Sequence, residues 1–258
     1  MGPIGAIETI GSWVLGRIEN IGHAVILAWQ GFVHMFRPPF RWRVYLQQLE
    51  FVGAGSLVIV LLTGAFTGMV SAVQAAYAFK IFNAEGYAGV TVALGLVREL
   101  GPVLTGLMVT GRVGSSIATE IGTMGVTEQI DALQSMAVNP VQYLVSPRMF
   151  AGLTMMPVLT LLFSLVGIVG SYIVVVLGLG LDSGVFKRRI LDALVPWDIW
   201  SGLIKAAIFG VVIVTIACHA GYNASGGARG VGMATTRAVV YSSVAVLVVD
   251  YFLTVLMF

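Results

Sequence analysis

Five long stretches almost without charge decide what this chain can fold into. Phe51–Ala76 carries no charged residue over 26 positions, and Gly86–Gly111 is interrupted only by Arg98-Glu99. Met149–Leu181 is uncharged over 33 residues, Ile199–Cys218 carries only Lys205, and Ala238–Phe258 carries only Asp250. A helix of 26 residues is about 39 Å long, enough to cross a bilayer with some tilt. Met149–Leu181 is longer than that need, so it must tilt strongly, protrude or contain a break, with Pro157 one place for it. Only 10% of the 258 residues are charged and 58% are hydrophobic, whereas soluble domains run near 25% charged. The fold class is therefore all-α, a polytopic membrane protein with five transmembrane helices. Glycine is abundant at 32 residues, as expected where membrane helices pack closely. A net charge of +2 excludes an electrostatic nucleic-acid binder. The single cysteine, Cys218, permits no intrachain disulfide. Met1–Gly16 has no basic leader region or convincing cleavage site, so no cleaved signal peptide is expected.

Ahead of these spans, Ile10–Phe36 is apolar but broken by Arg17, Glu19, His23, Gln30 and His34. Trp13 and Trp29 are residue types of the membrane interface. Arg37-Pro38-Pro39-Phe40-Arg41-Trp42-Arg43 then stops the helix with a basic, aromatic cluster. Residues 1–50 read as an amphipathic segment lying in the interface; a sixth crossing is the alternative. Five spans put the termini on opposite sides. With the amino terminus inside, the inner loops carry Arg17, Arg37, Arg41, Arg43, Arg112, Arg148, Arg229 and Arg237, against Lys80, Lys187, Arg188 and Arg189 outside. That balance follows the positive-inside rule. The Lys187-Arg188-Arg189 run opposes it and is partly offset by Asp182, Asp192 and Asp198.

Four charges fall within the spans. Arg98 and Glu99 lie near the middle of the second span, Asp250 near the middle of the fifth, and Lys205 in the outer third of the fourth. Each would cost about 2.5–3.5 kcal/mol if left alone at a helix centre. They are therefore expected to pair or to line a wet cavity. Glu99–Lys205 and Asp250–Arg98 pairs could lock helices together, line a polar part of a substrate path, or do both. Gly64-Ala65-Phe66-Thr67-Gly68 is a small-xxx-small face, read as ordinary helix packing in preference to a dimer seam. The neighbouring Met69, Val73 and Tyr77 suit either a core or an apolar wall for acyl chains.

Residues 112–148 are too polar to be embedded throughout and read as a cytoplasmic coupling loop. Thr127 can cap a helix with Glu128 in its first turn, and Ile130, Leu133 and Met136 form a stripe. Asn139-Pro140 and Ser146-Pro147 punctuate the exit. A short amphipathic helix there suits docking into a groove of a soluble partner, or packing on its own protein. Several chemistries find no support. There is no Gly-x-x-x-x-Gly-Lys-Ser/Thr loop for ATP, and His23, His34 and His219 lack metal-ligand spacing. Gly226–Gly232 reads as a flexible connector, and the Asn223-Ala224-Ser225 sequon falls on the inner face. Nothing points to an enzyme.

At Arg98-Glu99-Leu100-Gly101-Pro102, Gly111-Arg112-x-Gly-Ser115, Glu120-Ile121-Gly122, Glu128-Gln129 and Pro147-Arg148, the chain resembles the MlaE family of ABC-transporter permeases. The likeness continues at Ala234-Thr235-Thr236-Arg237 and Val248-Val249-Asp250-Tyr251, and spans roughly Arg43 to the carboxyl end. It implies a homodimeric permease of a Gram-negative inner membrane; the loop charges favour a cytoplasmic amino terminus and hence a periplasmic carboxyl terminus. Its partners would be a cytoplasmic ABC ATPase, a STAS-domain protein and a periplasmic hexameric MCE-domain lipid-binding ring. The substrate would be phospholipid, moved between inner and outer membranes to maintain outer-membrane lipid asymmetry. No cofactor is expected on this chain, ATP and Mg belonging to the ATPase. Carried onto this sequence, Thr127, Glu128, Gln129, Asp131, Leu133 and Met136 would couple to the ATPase. Glu99, Lys205 and Asp250 would sit near the lipid cavity. Two rival readings remain: an ion-coupled secondary transporter with Glu99 and Asp250 as proton carriers, and a structural anchor for the ring. The first often shows internal repeats, and none is convincing here.

Overall fold

The computed structural model describes residues 3–38 and 41–258. Met1, Gly2, Pro39 and Phe40 lie outside the described residues, as do the side chains of residues 3–14 and of Arg17. The expected interface residue Trp13, the Arg17 side chain and part of the Arg37–Arg43 cluster fall there.

The described chain is helical throughout, without strands. Helix α1 (Pro3–Met35) leads to α2 (Trp42–Val52) and α3 (Ala54–Lys80), which continue one another across Gly53. Helix α4 (Glu85–Val126), the short α5 (Gln129–Ser135) and α6 (Val141–Gly178) follow. Helix α7 (Ser183–Ala193) and then α8 (Pro196–Tyr222) and α9 (Gly227–Met257) complete the fold. Among the described residues, five helical runs are long and apolar enough to cross a membrane: Trp42–Lys80, α4, α6, α8 and α9.

The connection expected over 112–148 is much shorter, because α4 runs on to Val126 and α6 begins at Val141. The polar residues that suggest a loop stay helical by turning their hydroxyls back on the backbone. Ser115 donates to Gly111 O at 2.5 Å, Ser116 to Arg112 O at 2.8 Å and Thr119 to Ser115 O at 2.9 Å. Such bonds satisfy a hydroxyl without help from water. Pro157 does not end α6, which passes through it and closes in a widened turn at Ile173–Gly178. The glycine-rich 226–232 segment is not a flexible connector. Gly226 (φ +88°) and Gly227 (φ +69°) make one left-handed turn, and α9 starts there.

Helix α6 lies at the centre and is held through glycine. A Cβ on Gly64 of α3 would meet Phe163 O at 2.8 Å, and one on Gly152 of α6 would meet Gly210 O of α8 at 2.8 Å. Backbones approach closely there because no side chain stands between them. The Gly64–Gly68 face is accordingly spent on packing inside the chain, against Phe163 and Gly167. Helix α9 differs: Val240, Val244, Leu247, Val248 and Val255 are exposed along its length. The Lys187–Arg189 run rests partly on aromatic faces, with Arg189 4.3 Å from the Tyr87 ring centre and Lys187 5.8 Å from that of Tyr172.

Candidate functional site

The intramembrane charges converge in the half of the bundle away from the 127–140 connection. Pro102 starts the arrangement. It has no N–H to give Arg98 O, the acceptor one turn back, and the turn before it is widened so that Gly101 N bonds Leu96 O. The stranded Arg98 carbonyl accepts instead from Lys205 Nζ of α8 at 3.3 Å. Lys205 is fully buried. Its ammonium also donates to Glu99 Oε2 at 2.6 Å and to Thr254 Oγ1 of α9 at 2.7 Å, and lies 3.4 Å from Asp250 Oδ1. The Thr254 hydroxyl in turn reaches Asp250 O at 2.8 Å and Glu99 Oε2 at 3.2 Å. One lysine thus ties α4, α8 and α9 together, and a buried cation in that position is stable only because its three protons all find oxygen.

Arg98 does not pair with Asp250. Successive residues on a helix point about 100° apart, so Arg98 diverges from Glu99 and takes Asp198 at 2.8 Å. Asp198 sits in the first turn of α8, where it also accepts from Val195 N at 3.0 Å. It is buried, contrary to its expected place in an outer loop. The Arg98 guanidinium lies 4.8 Å from the centre of the Phe258 ring. Met69, Val73 and Tyr77 belong to a different element, α3, where Val73 and Tyr77 are exposed and Met69 is half-buried.

At the opposite end, the short helix is not built as its sequence suggests. Thr127 ends α4, its hydroxyl donating to Thr123 O at 2.8 Å, and does not cap α5. Glu128 is the residue before the helix and takes a left-handed backbone, φ +59°. Helix α5 is Gln129–Ser135, so Met136 follows it. The apolar stripe splits: Ile130 is buried and Leu133 half-buried against the body, while Met136 is exposed. Glu128, Gln129 and Asp131 face outward. Beside them lies a cleft of about 530 Å³ of mixed character, with Gln48, Glu120, Gln129 and Arg148 among its polar lining and Met124 and Leu144 among its apolar lining.

Sequence reasoning missed what two arginines do, having assigned both to loops. Arg148 is buried and bonds Glu120 Oε2 at 2.7 Å and Leu144 O at 2.9 Å. Arg112 donates to Phe51 O at 3.0 Å and to Ser56 Oγ at 3.1 Å. Nothing in the sequence singles out Ser56, which shares the first, uncharged span with the hydroxyls of Thr63, Thr67 and Ser71.

Comparison with known proteins fits this architecture. The family described as Permease MlaE matches residues 45–256. A protein of Rickettsia bellii named a probable ABC transporter permease is 43% identical over 251 residues, 97% of either chain. The intermembrane phospholipid transport system permease MlaE of Haemophilus influenzae is 39% identical over 254 residues, covering 98% of this chain and 97% of that protein. The chloroplastic protein TRIGALACTOSYLDIACYLGLYCEROL 1 of Arabidopsis thaliana is 39% identical over 89% of this chain and 65% of its own length. Five membrane-crossing helices, a buried lysine holding three of them together, and this similarity over nearly the whole chain converge on one assignment: the chain belongs to the MlaE permease family.

Proposed function

We propose that this chain is the membrane subunit of an ABC transporter that moves phospholipid between two membranes, in the inner membrane of a Gram-negative cell. The observation that carries the reading is the similarity to the Haemophilus permease over 98% of the chain. The geometry supports it. Exposed apolar flanks on α3 and α9 suit acyl chains, and the Glu99–Lys205–Asp250 cluster adds a polar part where α9 meets α4 and α8. Two copies would enclose the path, with Met69, Val73 and Tyr77 on its apolar wall. The chain would have its amino terminus in the cytoplasm, residues 1–50 in the interface, and its carboxyl terminus in the periplasm.

Energy would come from a separate ATPase holding ATP and Mg. The outward residues Glu128, Gln129, Asp131 and Met136, with Leu133 supporting them from below and Thr127 ending α4, would meet that subunit. Further partners would be a STAS-domain protein and a periplasmic MCE-domain ring, the whole maintaining outer-membrane asymmetry. The test is co-reconstitution of the chain and its ATPase in vesicles containing labelled phospholipid. ATP-dependent movement is expected, none without nucleotide; movement by this chain alone would refute the reading. Reversing Glu128 and Asp131 together to Lys should reduce ATPase co-purification and leave membrane insertion intact. Undiminished co-purification would remove α5 from the docking surface.

A further inference from the structure

The segment ahead of the first crossing is fastened to the connection that follows α5. Ser146 Oγ, near the start of α6, donates to Gly31 O of α1 at 2.9 Å in a buried bond. Gln142 Nε2 donates to Arg37 O at 2.9 Å. His34 Nδ1 donates to Gln30 O at 2.7 Å, which leaves Nε2 to accept from Asn139 Nδ2 at 3.3 Å. Asn139 also opens α6, its Oδ1 accepting from Val141 N at 2.9 Å. A bond from Val138 N to Leu133 O at 3.0 Å fixes the short link between Asn139 and α5. Residues 30–37 are therefore joined to α5 by hydrogen bonds and not through a loose loop. The same ties gather positive charge. Gln142 holds the backbone of Arg37, and the next residue, Tyr143, carries the Arg41 guanidinium 4.7 Å from its ring centre. Arg43 lies in the first turn of α2. All three arginines are exposed, and no described carboxylate forms an ion pair with any of them. The next acid along α2, Glu50, is two turns beyond Arg43.

We propose that Arg37, Arg41 and Arg43 form a site for anionic phospholipid of the cytoplasmic leaflet, whose occupation steadies the α5 connection for the ATPase. This rests on the transport reading above and on the interfacial place given there to residues 1–50. Exposed apolar side chains surround the arginines: Trp29, Phe32 and Phe36 precede them, and Trp42 and Leu46 accompany them. Such a surface is a liability in water. At a bilayer interface the rings sit among headgroups while the guanidiniums reach phosphate. The charge selects the lipid. Each basic residue near an anionic surface adds to the attraction, and a guanidinium can hold two phosphate oxygens at once. A zwitterionic headgroup gains less, because three cations with no carboxylate beside them leave nothing to receive its ammonium. Coupling between two sites is reciprocal, so a lipid that favours ATPase docking is itself held more tightly once the ATPase is docked.

The test measures binding of the ATPase to the full chain in vesicles of phosphatidylethanolamine and phosphatidylcholine, with or without added phosphatidylglycerol. A further arm adds glycerol phosphate to the zwitterionic vesicles, supplying the charge without a membrane anchor. Phosphatidylglycerol should tighten ATPase binding about fivefold, the low end of coupling between two sites, and glycerol phosphate should leave it unchanged. Arg37→Gln/Arg41→Gln/Arg43→Gln should abolish the gain, and the corresponding triple change to Lys, which keeps the charge, should retain it. Three results overturn the site: equal binding by the wild type in both vesicles, a gain that persists in the Gln variant, or the same gain from glycerol phosphate. The wild-type comparison changes only the lipid, so a variant that fails to fold does not spoil it. ATP-dependent lipid transfer is followed in the same vesicles. Intact transfer without any lipid effect on docking removes the site and leaves the transport reading standing. Absence of ATP-dependent transfer in every vesicle overturns both.

Discussion

Helices α8 and α9 are alike in hydropathy and opposite in setting. Their most apolar windows have mean hydropathies of 2.2 and 2.1, yet 61% of the first is buried inside the chain and 11% of the second. Hydropathy does not separate them because lipid and protein interior are equally apolar, so no solvent gradient sorts residues. What separates them is residue size. Along α8, Gly202, Gly210 and Gly221 each lie where a Cβ would meet the backbone of a neighbouring helix. Along α9, Gly232 has open space around it, and the larger aliphatics face outward. Small residues mark the helix packed within its own chain. Large ones mark the helix left for lipid or a second copy.

Lys205 and Asp250 test that contrast most severely, since they join the two helices from unequal positions. Lys205→Met removes the cation that Glu99 and Asp250 share. Two carboxylates would then be left without a cation, Glu99 keeping only the Thr254 hydroxyl, and breaking a buried pair in this way costs about 3–5 kcal/mol. A large fall in the unfolding midpoint in detergent is expected. Asp250→Asn should cost far less, because Lys205 keeps its 2.6 Å bond to Glu99 and its 2.7 Å bond to Thr254. Equal losses from the two substitutions would show that the fold depends on α9 no less than on α8.

Glycine gives the next test. Gly210→Ala places a methyl group against Gly152 O, and neither side of that contact is a flexible side chain that could move away. Overpacking of this kind costs about 1–3 kcal/mol, read as a lower midpoint and as loss of monodisperse protein on size-exclusion chromatography. An unchanged midpoint would mean that α6 and α8 can separate slightly without penalty.

How far the sequence exposed this architecture follows from the same physics. Long uncharged runs identify five spans because charge at membrane depth is so expensive, and that cost also forecast that Glu99 and Lys205 would need each other. The identity of the Arg98 partner was hidden. Asp198 stands next to Val195-Pro196-Trp197 in what reads as an outer loop, and only the fold brings that turn against the second span. The end of α4 was hidden for a different reason. Ser115, Ser116 and Thr119 look like loop residues in composition, but their hydroxyls bond within the helix. Thr127 and Glu128 carry a helix-start signal that loses to the continuing helix before them, so Thr127 closes α4 and Glu128 bears the left-handed turn. Arg148 was unreadable, since its burial depends on Glu120 from another helix.

The smallest expected effect is the most diagnostic for α9. Gly232 lies in the second turn of that helix, and a methyl group added there would find nothing within 4 Å. Alanine at this position should raise protomer stability by up to about 1 kcal/mol, since glycine is that much poorer in a helix interior. Within one chain, then, Gly210→Ala and Gly232→Ala should act in opposite directions on the unfolding midpoint. A second readout, the dimer fraction in dilute detergent, gives the substitution its further use. If the open space at Gly232 is solvent or lipid, the dimer fraction stays constant as the midpoint rises. If another copy's backbone occupies that space, the added methyl group holds the two helices apart and the dimer fraction falls although each protomer is more stable. A lower midpoint for Gly232→Ala would break the contrast at its weakest point, because it would place on α9 the same close packing that glycine provides on α8.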